Sequence, residues 1–192
     1  MGHSQVDKRK THEKIVEIAS RRLREKGLDG VGVADLMKEA GLTVGGFYKH
    51  FSSRDELVAE AMQLAFGAWE EKVRSAGRAP AEIPLPEYAA NYLSQTHRDD
   101  TSAGCPFAAL TADIARGGDK GRSMATDQMK ANLANMQARI KADDDADARR
   151  KAIIATCLMS GAVGLARIAD DEAFSTEILE TVKSFVTEFG TK

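Results

Sequence analysis

Between Gly41 and Leu57 the chain reads GLTVGGFYKHFSSRDEL, and few folds accommodate such a stretch. A glycine closes one short helix at Gly41, and Thr43 is placed to cap a second. Only a few residues later Ser52 and Ser53 stop that helix and cap a third. The middle helix carries Tyr48, Lys49 and His50 with no acidic residue, and Arg54 opens the helix after it. Small residues, a phenol, an ammonium and an imidazole on so brief a helix suit the major groove of DNA. The spacing predicts a helix-turn-helix with this segment as its recognition helix.

Upstream residues complete that unit. Ile15, Ile18, Ala19 and Leu23 lie on one face of a helix over 8–26, which Gly27 closes, and Val33, Leu36, Met37 and Ala40 do the same over 33–40. Phe47 and Phe51 plug the shared core from the recognition side. Residues 1–26 hold eight Lys/Arg against four acids, a surplus of four, whereas the whole chain carries a net charge of −2. A basic arm beside a helix-turn-helix is an electrostatic footprint for phosphate.

Downstream, three of the four prolines fall at Pro80, Pro84 and Pro86. The helix opened at Ser53 therefore runs to about Ala76, long enough to join two units as a rod. Further helices are expected near 86–99, 105–116, 119–141, 146–169 and 172–189, with no alternation that calls for a sheet. The fold class is all-α: a helix-turn-helix domain over 1–52 and a helical bundle over 53–192. At 192 residues and 43% hydrophobic content the chain can bury a core. No apolar run approaches the roughly 20 residues that cross a bilayer. The polar N-terminus is no signal peptide, although Gly2-His3-Ser4 fits a purification-tag remnant, and Cys105 and Cys157 make no disulfide framework. A cytoplasmic protein with no membrane partner is expected.

The 146–169 segment is apolar nearly all round, which requires burial on nearly all sides. Cys157, Leu158, Gly161, Gly164 and Leu165, with Ile178, Val182 and Phe185 on the last helix, form either ordinary core or the face of a two-helix dimer contact. A dimer suits a helix-turn-helix, because two readers one duplex turn apart recognise a pseudo-palindrome.

The run from about Lys10 to Leu64 resembles the DNA-binding domain of the TetR family of bacterial regulators. The resemblance rests on the Gly27 turn, Val33-Ala34-Asp35-Leu36 leading to Glu39-Ala40-Gly41, and Gly46-Phe47-Tyr48-Lys49-His50-Phe51 before Ser53-Arg54-Asp55-Glu56-Leu57. It implies that Thr43, Val44, Gly45, Tyr48, Lys49 and His50 face operator DNA and that Arg54 takes a backbone phosphate. Val31-Gly32 stands where the family has a Thr-Ser or Thr-Thr cap. The function implied is a homodimeric repressor, released when a small hydrophobic or electrophilic effector moves the rod at 53–76 and spreads the recognition helices from about 34–36 Å.

Candidate chemistry is sparse. Cys105 precedes Pro106 at a helix start, where the dipole favours thiolate and His97 and Arg98 lie one loop upstream; the alternative is a small residue at a core helix end. A Gly-Cys here and the Gly-Ala-Val-Gly-Leu-Ala-Arg run at 161–167 are similar to the branch of the family with an electrophile- and oxidant-responsive sensor. That branch's lysine partner is Arg167 here. Phe66, Trp69, Tyr92, Phe107 and Met124 are either plain core or, with Cys105, the lining of an effector cavity. Cys157 is expected as a structural thiol. The acids at 143–147 suit a helix N-terminus better than a metal, the histidines lack ligand spacing, and no phosphate loop or catalytic constellation exists, so no metal, cofactor or catalytic residue is expected. The rival readings are an all-α thiol-dependent redox enzyme built on Cys-Pro-Phe, and an effector-independent DNA-binding protein.

Overall fold

The computed structural model describes residues 5–191, so Gly2-His3-Ser4 lies outside the described residues. These residues form nine α-helices and three short 3-10 turns, with no strand among them. Helix α1 spans Gln5–Lys26, α2 Val33–Glu39, and α3 Arg54–Ser75, with a 3-10 turn over Val44–Lys49 between α2 and α3. Helix α2 starts at Gly32, which offers no side-chain cap. It ends in a Schellman closure: Gly41 (φ 75°) lets the Leu42 amide reach the Met37 carbonyl at 2.8 Å and its own amide reach Lys38 at 3.0 Å.

The recognition segment is a 3-10 turn rather than the expected α-helix, and Thr43 gives it no side-chain cap. Two adjacent glycines in six residues leave too little helix propensity to nucleate an α-helix, and the tighter turn forms instead. Ser53 does cap α3, accepting from the Glu56 amide at 3.1 Å, while Glu56 reaches back to the Ser52 amide at 2.5 Å. The Glu56 carboxylate thus returns to the residue before the cap, one position off a capping box.

Beyond the prolines the helix expected over 86–99 is two helices, α4 (Leu85–Tyr92) and α5 (Gln95–Asp99), because Ser94 breaks the run and caps His97 at 3.1 Å. Helices α6 (Pro106–Arg116), α7 (Asp119–Gln137), α8 (Asp145–Ile168) and α9 (Glu172–Thr191) follow. The expected end of α7 at 141 falls short because the Lys141 amide bonds the Gly190 carbonyl at 2.9 Å instead of continuing the helix. The acids before α8 act locally: Asp144 caps it, and Asp147 pairs with Arg150 and Lys151.

Two cores result. The first gathers Ile15, Leu23, Leu36, Phe47, Phe51 and Leu57, and also takes in Leu110 and Ile114 of α6 and Ala125 of α7. The second lies under α4, α8 and α9, with Leu85, Leu93, Met159, Val163, Leu179 and Val186.

Helix α8 is the one described helix long and apolar enough to cross a membrane, and its inward face is mostly alanine: Ala148, Ala152, Ala155, Ala162 and Ala166. Met159 and Val163 join them inside, while most of the other large residues point outward. Ile153, Ile154, Leu158, Leu165 (56% exposed) and Ile168 (80%) share the surface with Phe174 and Phe185 of α9. The expectation that α8 is buried on nearly all sides therefore fails within one chain. Cys157, Leu158, Gly161, Leu165 and Phe185 are exposed, while Gly164, Ile178 and Val182 are half-buried.

Candidate nucleic-acid interface and its link to the bundle

Phe47 and Phe51, 5.3 Å apart in the first core, anchor the recognition turn from below. That anchoring turns Thr43, Val44, Gly45, Tyr48 and Lys49 outward; Tyr48 is 73% exposed, edge-on to Phe47 at 5.3 Å. His50, half-buried, lies at the end of the turn. A methyl group at Gly45 would touch nothing within 4 Å, so no packing inside the protein requires glycine there.

Arg54 is partly engaged inside the protein. Its Nε donates to the Val31 carbonyl at 2.9 Å and its Nη2 to Leu28, so two of its nitrogens hold the loop between α1 and α2. The basic surplus of α1 is also partly internal. Lys14 donates to the Ala40 carbonyl at 2.9 Å, and Arg21 and Arg22 both pair with Glu39.

Arg24 turns toward the bundle. Its Nε and Nη1 are buried without a hydrogen-bond partner. Burial lowers its pKa, against the opposing charges of Asp100 and Cys105. On the far side, α6 begins at Cys105, packs on α1, and lays Asp113 against Gly27. Neither Arg24 nor the inward Leu110 and Ile114 announces this role in the sequence.

Around Cys105 the contacts are specific. Its amide donates to His97 Nε2 at 2.9 Å, so the ring proton sits on Nδ1, 2.5 Å from the Tyr92 carbonyl. His97 is therefore held as the neutral ring. Arg98 points away, to Asp99, Glu172 and Ser175. The positive charge near Cys105 comes from Arg24 and Arg167 rather than the expected His97 and Arg98. Arg167 donates to the Arg98 and His97 carbonyls at 3.0 and 2.9 Å. A Cβ at residue 104 would meet its Nη2 at 2.6 Å, so the absence of a side chain at Gly104 leaves room for the guanidinium. Burial first, then the Cys105 thiol, push the Tyr92 phenol well above its ordinary range, with a hydrogen bond from Ser160 opposing.

A family model described as "Bacterial regulatory proteins, tetR family" matches residues 15–61, the segment whose helices and turn are described above. This segment is a TetR-family DNA-binding domain. The HTH-type transcriptional regulator PksA of Bacillus subtilis is 39% identical over 69 residues, taking in 36% of this chain and 32% of PksA. This match thus spans about a third of that relative's length. The uncharacterized HTH-type transcriptional regulator Rv0196 of Mycobacterium tuberculosis is 26% identical over 167 residues, 83% of this chain and 85% of Rv0196. A TetR-family regulator from Cytophaga hutchinsonii superposes over the whole of both chains with a TM-score of 0.77 at 20% identity, which extends the shared fold through the bundle.

The six expected effector residues fall in more than one neighbourhood of the fold. Phe66 and Phe107 pack together at 5.0 Å against the first core. Tyr92 and Cys105 adjoin, Trp69 lies edge-on to Tyr88 at 5.1 Å near Arg139, and Met124 is half-buried on α7. Rings of Trp69, Tyr88, Tyr92 and His97 instead form a chain with spacings of 5.1, 6.0 and 4.7 Å, running from α3 to the Cys105 loop. Cys157, expected as a structural thiol, is exposed on the outer side of α8, whereas Cys105 is half-buried. No strand precedes Cys-Pro-Phe among the described residues.

The neutral His97 makes stability depend on pH. Burial lowers its pKa below 6.5 in the folded chain, and Arg167 adds to that against the Tyr92 carbonyl and Asp100. Below about pH 6.5 the unfolded chain binds a proton that the folded chain refuses. Stability contributed by His97 is therefore intact above that pH and falls as pH drops toward the folded pKa, by at most about 1.4 kcal/mol per pH unit. Urea midpoints at pH 7.5 and 5.5 should differ more in the native protein than in His97→Gln, and equal differences would remove His97 from the account.

Proposed function

We propose that this chain is a homodimeric transcriptional repressor that binds a pseudo-palindromic operator and is released by a small hydrophobic or electrophilic effector. The observation that carries the release mechanism is α6. It begins at Cys105 beside Tyr92 and His97, and further along it Leu110 and Ile114 belong to the core that supports the recognition turn. A group that alters the Cys105 loop therefore acts on the DNA-reading core through one helix, without needing a separate linkage through the rod. The effector shifts the population only by binding the spread state better than the DNA-bound one. In this reading 1–52 reads DNA and 53–192 binds the effector and dimerises, with α6 shared between the two. The outward apolar face of α8 and α9 supports the dimer, since large exposed patches mark interaction sites.

Thr43, Val44, Gly45 and Lys49 approach the bases, while Tyr48 and His50 contact the backbone and Arg54 steadies the loop beside it. Tyr48→Ala should weaken binding to every duplex by about 10–100-fold, as a lost charge-assisted hydrogen bond of roughly 1.5–3 kcal/mol requires. Lys49→Ala should instead relax discrimination at one operator position. A maleimide, whose double bond the Cys105 thiolate adds to form a thioether, should release DNA from the native dimer and not from Cys105→Ser. Binding assays over a salt series check all three. Undiminished binding by Tyr48→Ala would sink the placement of the turn, and release that persists in Cys105→Ser would leave only a non-covalent switch.

A further inference from the structure

We propose that the cleft between the start of α1 and the end of the recognition turn seats a backbone phosphate of bound DNA, and that this seating takes up a proton at His50. The inference rests on the DNA-binding reading above and deepens it. The cleft is open, about 560 Å³, and is lined by Lys8, Arg9 and His12 from α1 and by Lys49 and His50 from the turn. Three cationic side chains and two imidazoles thus border one depression, continuous with the exposed residues of the recognition turn, so its complement is an anion on the DNA surface.

Two observations single out His50. Its Nδ1 is buried with no hydrogen-bond partner, so the protein supplies no acceptor for a proton on that nitrogen. Its neighbours are mostly positive: Lys8 on α1, Lys49 on its own turn, and the His12 ring at 6.1 Å. Arg9 is 3.5 Å from Glu13. Two acids on α3 are engaged with other groups. Glu60 Oε2 lies 2.7 Å from His12 Nε2, and Glu56 is held by Ser52. His12 itself stacks on Phe51 at 4.4 Å, which ties the α1 side of the cleft to the core beneath the turn. Burial first, and then His12, Lys8 and Lys49, push the His50 pKa below its ordinary value in the free protein.

A phosphate in the cleft reverses the balance. It offsets the charges of Lys8 and Lys49 and favours the protonated imidazole. Protonation is then more favourable in the complex than in the free protein, so binding takes up a proton and tightens as pH falls. The effect lies in the window between the depressed pKa of free His50 and its higher value in the complex, and ends once free His50 is itself protonated. Because the contact is to backbone, any B-form duplex shows it.

The test is calorimetric titration of the whole protein with a mixed-sequence duplex at low, constant ionic strength and pH 6.5, in two buffers of different ionisation enthalpy. Native protein should take up as much as one proton per bound reading domain, and affinity should rise roughly 3–30-fold for each bound reading domain from pH 7.5 to 6.0. His50→Gln, which keeps a hydrogen-bond donor but cannot titrate, should bind with that uptake lost. The His50 ring resonance, followed by NMR through pH titrations of free and DNA-bound native protein, gives an independent reading should His50→Gln fold poorly. Binding without proton uptake, uptake undiminished in His50→Gln, or a His50 titration unchanged by DNA would overturn this inference and leave DNA binding standing. Failure to bind any duplex would overturn the DNA-binding reading itself.

Discussion

Leu165→Glu should yield a folded monomer that no longer holds an operator duplex. Within one chain Leu165 is more than half exposed, so a glutamate there disturbs little of the chain's own packing, and surface changes of that kind usually stay within about 0.5 kcal/mol. At a two-fold contact the same position meets its partner surface, and an unpaired buried charge costs about 3–5 kcal/mol for each copy. Dimerisation should weaken by about a thousandfold or more. With it goes simultaneous engagement of two half-sites. Sedimentation at micromolar concentration, thermal melts and operator binding measured on one preparation separate the outcomes. If the Leu165→Glu protein still forms a stable dimer, the outer face of α8 leaves the interface, and the dimer proposal has to move to another surface.

Leu110→Ala should destabilise the DNA-reading unit, although Leu110 lies well downstream of the 1–52 segment in sequence. Leu110 is 1% exposed and packs in the core that holds the recognition turn. Truncating it removes buried methyl groups and leaves a cavity, at a cost of about 2–5 kcal/mol. For a chain of this length that corresponds to a fall in Tm of about 4–20 °C. Amide exchange should show α1 and α2 losing protection together with α6, since one core serves all three. Loss confined to α6, with α1 and α2 as protected as before, would show that the helix merely leans on the reading domain.

The reading domain was legible in the sequence because its signals are local. Gly41, the Phe47–Phe51 pair and Ser53 each state their role within a few residues, and the structure places each of them in that role. The 3-10 form of the recognition turn was less accessible, since it depends on how weakly two glycines support a helix already pinned at both ends. The membership of α6 in the first core leaves no periodic mark at all: Leu110 and Ile114 have ordinary helical spacing, and only tertiary contact shows which core receives them. Helix α8 was legible as apolar all round, but spacing alone does not reveal that its inner face is mostly alanine while five of its isoleucines and leucines face outward. The expected effector residues were chosen by size, and size does not distinguish the Phe66–Phe107 core pair from the Tyr92–Cys105 contact.

The sharing of α6 also bears on how such proteins can be recombined. A chimaera joined at residue 52, with the reader of one regulator on the bundle of another, would separate Phe47 and Phe51 from the Leu110 and Ile114 that share their core. Each half would bring its own side of a core to a surface shaped for something else. A reader fits a new bundle only with a matching α6 face, so the unit of exchange is discontinuous in sequence.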